Sequence, residues 1–412
     1  MTGLSSVLLL PADGDSDRPH AASGLDSSRP SASGPVACPA PIGAEGLLEN
    51  YANNSSLLAR RTSRYARRVE LWQVSDLRRL KKCGRVMTCT HVTVRKTGPV
   101  AGLAGLVTCG SVWACPVCNA KIMARRAVEI GAAVALWQAQ GGRVAFETFT
   151  MRHRRGQGLA ELWEALGKAW ARITSGKYWR AEQQRYGIAG WLRVVEVTTG
   201  KNGWHVHVHA LLFLSGAMTP ADLLGLHAGM FGRWSRSLVR SGLEAPLVAG
   251  QDARLITGPA DESLSSYFTK ATDGAHRIGL EFTQTQSKTS RTSLSTVSVW
   301  SVLDSLLNTG LVDFLDQWHE WERASKGRKQ LTWSQGFRAG LLLDAEQTDE
   351  QLAEQEVGSK TDDLVAITAD GWAGLVRRPE LVAYMLTVTE QAGMVGLQGF
   401  LAAYGVEHEV VG

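Results

Sequence analysis

The sequence predicts an α+β protein, and three observations carry that reading. Segments Arg143–Met151, Trp191–Thr199 and Trp204–Leu214 alternate apolar and polar residues, the period of a half-buried strand. Gly200-Lys201-Asn202-Gly203, between the second and third of them, is a hairpin-type turn. Leu159, Leu162, Leu166, Trp170 and Ile173 recur at helical spacing between the first two strands.

Taken in order, residues 1–46 are rich in Ala, Ser, Gly, Pro and Asp and lack aromatic residues, so they read as a disordered tail. Residues 47–140 form a basic, Cys-rich segment. It holds a helical basic stretch, a short strand-like run at His91–Arg95, a cysteine loop, and a long helix over 119–139 that stops at Gly141-Gly142. Residues 141–297 hold the strands above, a helix over Pro220–Leu243 and a strand ending at Leu255-Ile256. A further helix there opens at Thr257-Gly258-Pro259, with Pro at its first position. Residues 298–326 and 330–343 read as a helical extension, 344–363 as an acidic linker and 364–412 as a small apolar helical unit.

Composition narrows the class. No apolar run approaches the roughly 18 residues of a membrane helix. Val7-Leu8-Leu9-Leu10 is too short for a secretory core, so a cytoplasmic protein with no membrane partner is expected. Net charge is only +5, yet Arg60–Lys96 carries twelve Lys/Arg against Glu70 and Asp76. Such a stretch attracts phosphate backbones through counterion release, or is simply a solvated basic helix.

The histidine strand is the sharpest signal. His205, His207 and His209 alternate with Val206 and Val208, so three imidazoles share one face of a strand. Neighbours in that row stand roughly 6.6 Å apart and can converge on one ion, whereas the outer pair is roughly 13 Å apart and cannot. Spacing leaves the pair open between 205/207 and 207/209. Glu196, flanked by Val195 and Val197 on the strand across the turn, is a carboxylate in an apolar setting that needs a partner. A metal, Arg193 or Lys201 would each supply one. Two imidazoles and a carboxylate suit zinc, manganese or iron. With phosphate and water completing the shell, Mn2+ or Mg2+ would polarise a phosphoryl oxygen.

Five of the six cysteines lie between Cys83 and Cys118, a clustering that favours metal over disulfides in a reducing compartment. Cys115-Pro116-Val117-Cys118 is a knuckle suited to tetrahedral Zn2+. Cys83, Cys89, Cys109 and His91 compete to complete it. Cys83 and Cys109 are favoured because each precedes a glycine able to make a tight turn. Buried free thiols and a redox pair are the other readings.

Tyr267 and Lys270 are three apart on the helix after Pro259 and share a face. A phenol is a weak nucleophile until its anion is stabilised, and an ammonium and a metal could both do so. The plain alternative is a packed tyrosine and a solvated lysine.

Three segments in this order resemble the HUH endonucleases that start rolling-circle replication of bacterial plasmids. They are Phe146–His153, Gly203–Leu212 with its histidines, and Tyr267–Lys270. The segment Cys109–Ile122 is similar to the branch found on actinomycete plasmids. The likeness covers roughly residues 80 to 280. It implies a small antiparallel sheet flanked by helices, to which the residue patterns above add a zinc-binding N-terminal segment and a helical C-terminal region. It selects His207 and His209 as the metal pair, with His205 as a neighbour near the site. It implies that Tyr267 attacks the scissile phosphate of a plasmid double-strand origin, single-stranded at the nick, and keeps the 5′-phosphate. The freed 3′-hydroxyl would prime a host polymerase, and Lys270 would assist. A host helicase is a further expected partner.

Three departures stand out. The Glu that family members carry four residues before the tyrosine is Ser263 here. Glu262, one residue further back, lies about 500° around the helix. Ala271 removes a second tyrosine, and Glu147 stands where the first motif is usually apolar. Other readings are a relaxase or transposase with the same chemistry, a non-catalytic zinc-dependent DNA-binding regulator, and a metallohydrolase of small substrates.

Overall fold

The computed structural model describes residues 44–256, 296–341, 343, 345–354 and 361–411. The chain divides into Met1–Tyr51 and Ala52–Gly412, and both sheets belong to the second unit. Tyr267, Lys270 and Glu262 lie outside the described residues, as does most of the tail.

Helices α1 (Ala44–Val74) and α2 (Arg78–Lys82) precede a hairpin of β1 (Val92–Thr97) and β2 (Val100–Ala104). Helix α3 (Pro116–Ala139) follows the cysteine loop. Then come β3 (Arg143–Thr150), α4 (Leu159–Ile173), α5 (Gly176–Tyr186), β4 (Ile188–Gly200), β5 (Gly203–Leu214), α6 (Pro220–Arg240), β6 (Asp252–Ile256) and β7 (Thr296–Ser298). The remainder is α7 (Val299–Thr309), α8 (Val312–Ser325), β8 (Leu331–Trp333), α9 (Phe337–Gly340), α10 (Asp349–Glu354), β9 (Thr361–Ile367), α11 (Ala369–Leu375), α12 (Pro379–Ala403) and β10 (His408–Val410).

The larger sheet is antiparallel in the order β6-β3-β5-β4-β7, with β8 also paired to β4. Its centre is the long hairpin of β4 and β5, closed between Gly200 and Gly203. Gly203 has φ +84°, a conformation that costs a side-chain-bearing residue energy and glycine little. On one face Val206, Val208, Ala210 and Leu212 are fully buried in the same core as α4 and α6. The five periodic apolar residues of α4 are all buried there. Each such side chain contributes about 1.5–3 kcal/mol on leaving water. On the other face, Ile130, Ala133 and Val134 of α3 pack with Val144, Phe146, Leu211 and Phe213. The histidines occupy the rest of that face.

The second sheet is antiparallel in the order β10-β9-β1-β2. Here the structure departs from the expected organisation. The segment read as an acidic linker contains α10 and the first residues of β9. Its acids are answered by bases. Asp363 and Asp362 stand opposite Arg95 and Lys96 in the register, and Arg95 pairs with Asp363 at 3.0 Å. Asp349 of α10 meets Arg126 at 3.3 Å. The helical C-terminal region therefore also supplies two strands to the N-terminal sheet.

Part of the basic stretch differs in the same sense, although Arg78, Arg79, Lys81, Lys82 and Arg85 are exposed. Arg61 forms a two-pronged pair with Glu390, and Arg67 with Asp304 at 2.7 Å. Those charges hold α1 to α12 and α7 rather than facing solvent. Residues 330–343, expected as helix, instead give β8 and the short α9. Leu331-Thr332-Trp333 extends along β4 opposite Val194 to Leu192, where an open strand edge offered hydrogen bonds.

Candidate metal centres

Among the described residues, three groups of side chains converge closely enough to hold an ion. One of them, Asp76, His319 and Glu322, is already occupied by the protein. Glu322 accepts from the Ser75 hydroxyl and the Asp76 amide, and His319 Nε2 donates to Val74 O at 2.8 Å. It fastens the end of α1 to α8.

The second group stands on the larger sheet. Antiparallel pairing sets Glu196 of β4 directly opposite His207 of β5, with His209 one step along the same face. Glu196 Oε2 lies 3.0 Å from His207 Nε2 and 3.1 Å from His209 Nε2. Such separations are hydrogen bonds when the ring nitrogens are protonated. They are also the adjacent edges of an octahedral shell, since ligands about 2.1 Å from one ion at right angles stand about 3.0 Å apart. Thr148 of β3 is the register partner of His209, and its hydroxyl lies 3.1 Å from His209 Nδ1. With Nδ1–H donating to Thr148, the lone pair sits on Nε2 and points at Glu196.

Electrostatics favour the same set. Burial would raise the Glu196 carboxyl, but the charges and hydrogen bonds of His207 and His209 hold it well below the ordinary carboxylate range. Burial lowers His209, against the pull of Glu196, the direction that favours the neutral ring a ligand must be. His205 is brought to about 3 by burial and by the neighbouring His207 and His153. Its ring lies tilted beside those of His207 and His153, at 4.9 and 5.0 Å between ring centres, and is not within the convergent triad.

The third group is Cys83, Cys109, Cys115 and Cys118, all buried. The sulfur separations are 3.8 Å for Cys83–Cys115 and 3.6 Å for both Cys83–Cys118 and Cys109–Cys118. Four sulfurs bound about 2.3 Å from one tetrahedral ion stand about 3.8 Å apart. Gly84 and Gly110, each following a cysteine, have φ +62° and +64°, and so make the two tight turns. Cys115 caps α3 and accepts from the Cys118 amide, while Cys109 accepts from the Ser111 amide. Cys89 is exposed, and among the described residues neither it nor His91 belongs to the convergent group.

Without a cation the four thiols cannot all ionise. Hydrogen bonds from the other three hold Cys83 well below its usual value, while contacts with the same thiols push Cys109 well above. Buried Arg68 lies beside them, its guanidinium 4.5 Å over the Tyr65 ring and its Nε without a hydrogen-bond partner among the described residues. Burial would lower Arg68, but Cys83 and then Tyr65, Cys115 and Cys118 raise it. A side chain at Gly84 would collide with this guanidinium, at 2.1 Å from Nη1.

Four neighbours of these groups escaped the sequence reading: Thr148, Arg68, His227 and Arg254. Thr148 was within reach, because aligning the alternation of the first and third strands puts it opposite His209. His227 explains Glu147. That carboxylate is fully buried on the opposite face of β3 and pairs with His227 of α6, whose ring stacks on Phe149.

The fold and these two groups define an α+β protein whose side chains could hold a metal ion on a sheet face and in a thiol cage. A family model described as "Replication protein" matches residues 103–219, which span the cysteine knuckle, β3, β4 and β5. The chain is 30% identical over 338 residues to "Protein rep" of Streptomyces lividans, covering 66% of this chain and 73% of that one. It is 33% identical over 150 residues to "Neomycin resistance protein" of Streptomyces cyanogenus, covering 30% of this chain and 34% of that one. No solved structure matches. The chain belongs to the Rep family of replication proteins.

Proposed function

We propose that the chain initiates rolling-circle replication of a plasmid by nicking and rejoining one DNA strand through Tyr267. The observation that carries this reading is the single Glu196 oxygen shared by His207 Nε2 and His209 Nε2 on the face of a rigid hairpin. Those three residues would hold Mn2+ or Mg2+, which when bound acts as a Lewis acid on a phosphoryl oxygen. The Tyr267 oxygen attacks the scissile phosphorus, the P–O3′ bond breaks, and the 5′-phosphate stays on the tyrosine. The O3′ leaves as a hydroxyl that a polymerase extends, and rejoining reverses the same exchange. Lys270 supports the phenolate, Glu262 is the nearest carboxylate in sequence for ending a round, and His205 lines the approach to the metal.

The cysteines support a structural Zn2+. Their separations fit a closed tetrahedral shell that leaves no position for substrate. The segment they organise, residues 47–140, would fix the nuclease core of 141–297 in register with the C-terminal region. Among the described residues no helix is long and apolar enough to cross a membrane.

The test is direct. A labelled single-stranded origin oligonucleotide with Mn2+ is cleaved by the wild-type chain and leaves a covalent adduct. Tyr267→Phe is expected to form none, and a mutant that still forms it removes Tyr267 from the nucleophile role. His207→Ala loses cleavage by about 100-fold or more while keeping duplex binding. Equal loss of both activities would make His207 structural.

A further inference from the structure

The triad accounts for the metal but not for how a phosphodiester is oriented on it. A diester bound to one cation still rotates about that contact. In-line attack needs a second fixed point. The face that carries the triad offers one.

Strand β3 lies between β5 and β6, and its register sets Phe146 opposite Arg254 of β6. Phe146 is also diagonal to His209, since Thr148 is the residue opposite that histidine. The ring of Phe146 is therefore engaged from both strands. The imidazole of His209 stacks on it at 5.4 Å with 29° between the planes, and the Arg254 guanidinium sits 4.5 Å from its centroid.

The guanidinium is held but not consumed. Its Nη1 lies 3.1 Å from Asp252 Oδ2, its Nε is buried with no partner among the described residues, and its side chain is 36% exposed. An arginine anchored by an aromatic face and one carboxylate keeps most of its five donors for a planar or tetrahedral oxyanion. The two strand spacings from β5 to β6 amount to about 10 Å. The arginine stem covers the one from β6 to β3, placing the guanidinium over Phe146 on the face that carries the triad.

We infer that Arg254 is a phosphate-binding residue of the active site, clamping a non-bridging oxygen of the scissile diester while the Glu196–His207–His209 centre takes another. The inference rests on the nuclease reading above. It assigns Phe146 the role of positioning residue, because its ring fixes Arg254 and His209 relative to each other.

The test separates the two readings. Covalent capture of single strands from a randomised pool by the full wild-type chain with Mn2+ first identifies a cleaved sequence. Capture of nothing overturns the nuclease reading and this assignment with it. That sequence is then made with either a phosphodiester or a neutral methylphosphonate at the scissile position. On the diester, Arg254→Gln is expected to cleave about 100- to 1000-fold more slowly than wild type, the usual cost of one lost oxyanion donor. Arg254→Lys should recover part of that loss. On the methylphosphonate the two proteins should cleave at the same rate, because the charge that Arg254 answers is gone. Mn2+ affinity by calorimetry should be unchanged in Arg254→Gln. An equal penalty on both linkages, or no penalty on the diester, overturns the assignment while leaving the nuclease reading intact.

Discussion

The two metal-ligand centres of this chain are built on opposite plans. The cysteine cage draws its ligands from three separate places, the turn after α2, the loop before α3 and the first turn of α3, and closes them into a buried tetrahedron. The histidine centre draws all three ligands from one hairpin and presents them on a single sheet face. A cage assembled from distant segments holds those segments together when filled, and a row on a rigid hairpin leaves the opposite hemisphere for a substrate. Charge follows the same division. Arg68 supplies a buried positive charge against the thiols, while Glu196 supplies a negative one beside the imidazoles.

The sharpest way to break the comparison is Cys118→Ser. Binding to a structural tetrathiolate is worth about 10 kcal/mol or more of folding free energy. The variant is expected to lose its stoichiometric zinc and its cooperative unfolding transition. Elemental analysis showing one zinc per chain and an unchanged melting curve would sink the cage. A smaller effect is expected from Thr148→Val, which removes the hydroxyl orienting His209 and keeps the shape. Outer contacts of this kind are typically worth about 10- to 100-fold in metal affinity. Calorimetry should show weaker Mn2+ binding with zinc content unchanged, and equal affinity would mean that Thr148 does not set the tautomer. The smallest effect belongs to Arg68→Met, expected to weaken zinc about tenfold in competition with a chromogenic chelator. An affinity equal to wild type would show that the guanidinium does not answer the thiolates.

Much of this was legible in the chain itself. The hairpin of β4 and β5 and helix α4 could be read from alternation and helical spacing, because each buries one face and its pattern is local. The convergence of Glu196 on the histidines followed from placing two strands across a four-residue turn. The cysteine set followed from two glycines that permit the knuckle turns. What stayed hidden depends on distant partners. Glu147 looked anomalous because its partner, His227, lies on α6, eighty residues on. The acids of 344–363 looked like solvated linker because the bases that answer them, Arg95, Lys96 and Arg126, lie some 220 to 270 positions earlier. Leu331-Thr332-Trp333 is too short for periodicity to distinguish strand from helix.

The sheet that joins β1 to β9 also has a history during synthesis. Its first hairpin leaves the ribosome about 260 residues before β9 does, on the order of tens of seconds at ordinary elongation rates. Throughout that interval Val92 and Val94, fully buried in the finished protein, have no β9 to cover them, and β1 has an open edge. The histidine hairpin, whose two strands are made consecutively, can close at once. The nascent chain therefore completes its histidine hairpin before its N-terminal sheet, and is most exposed to aggregation and to chaperones during the delay.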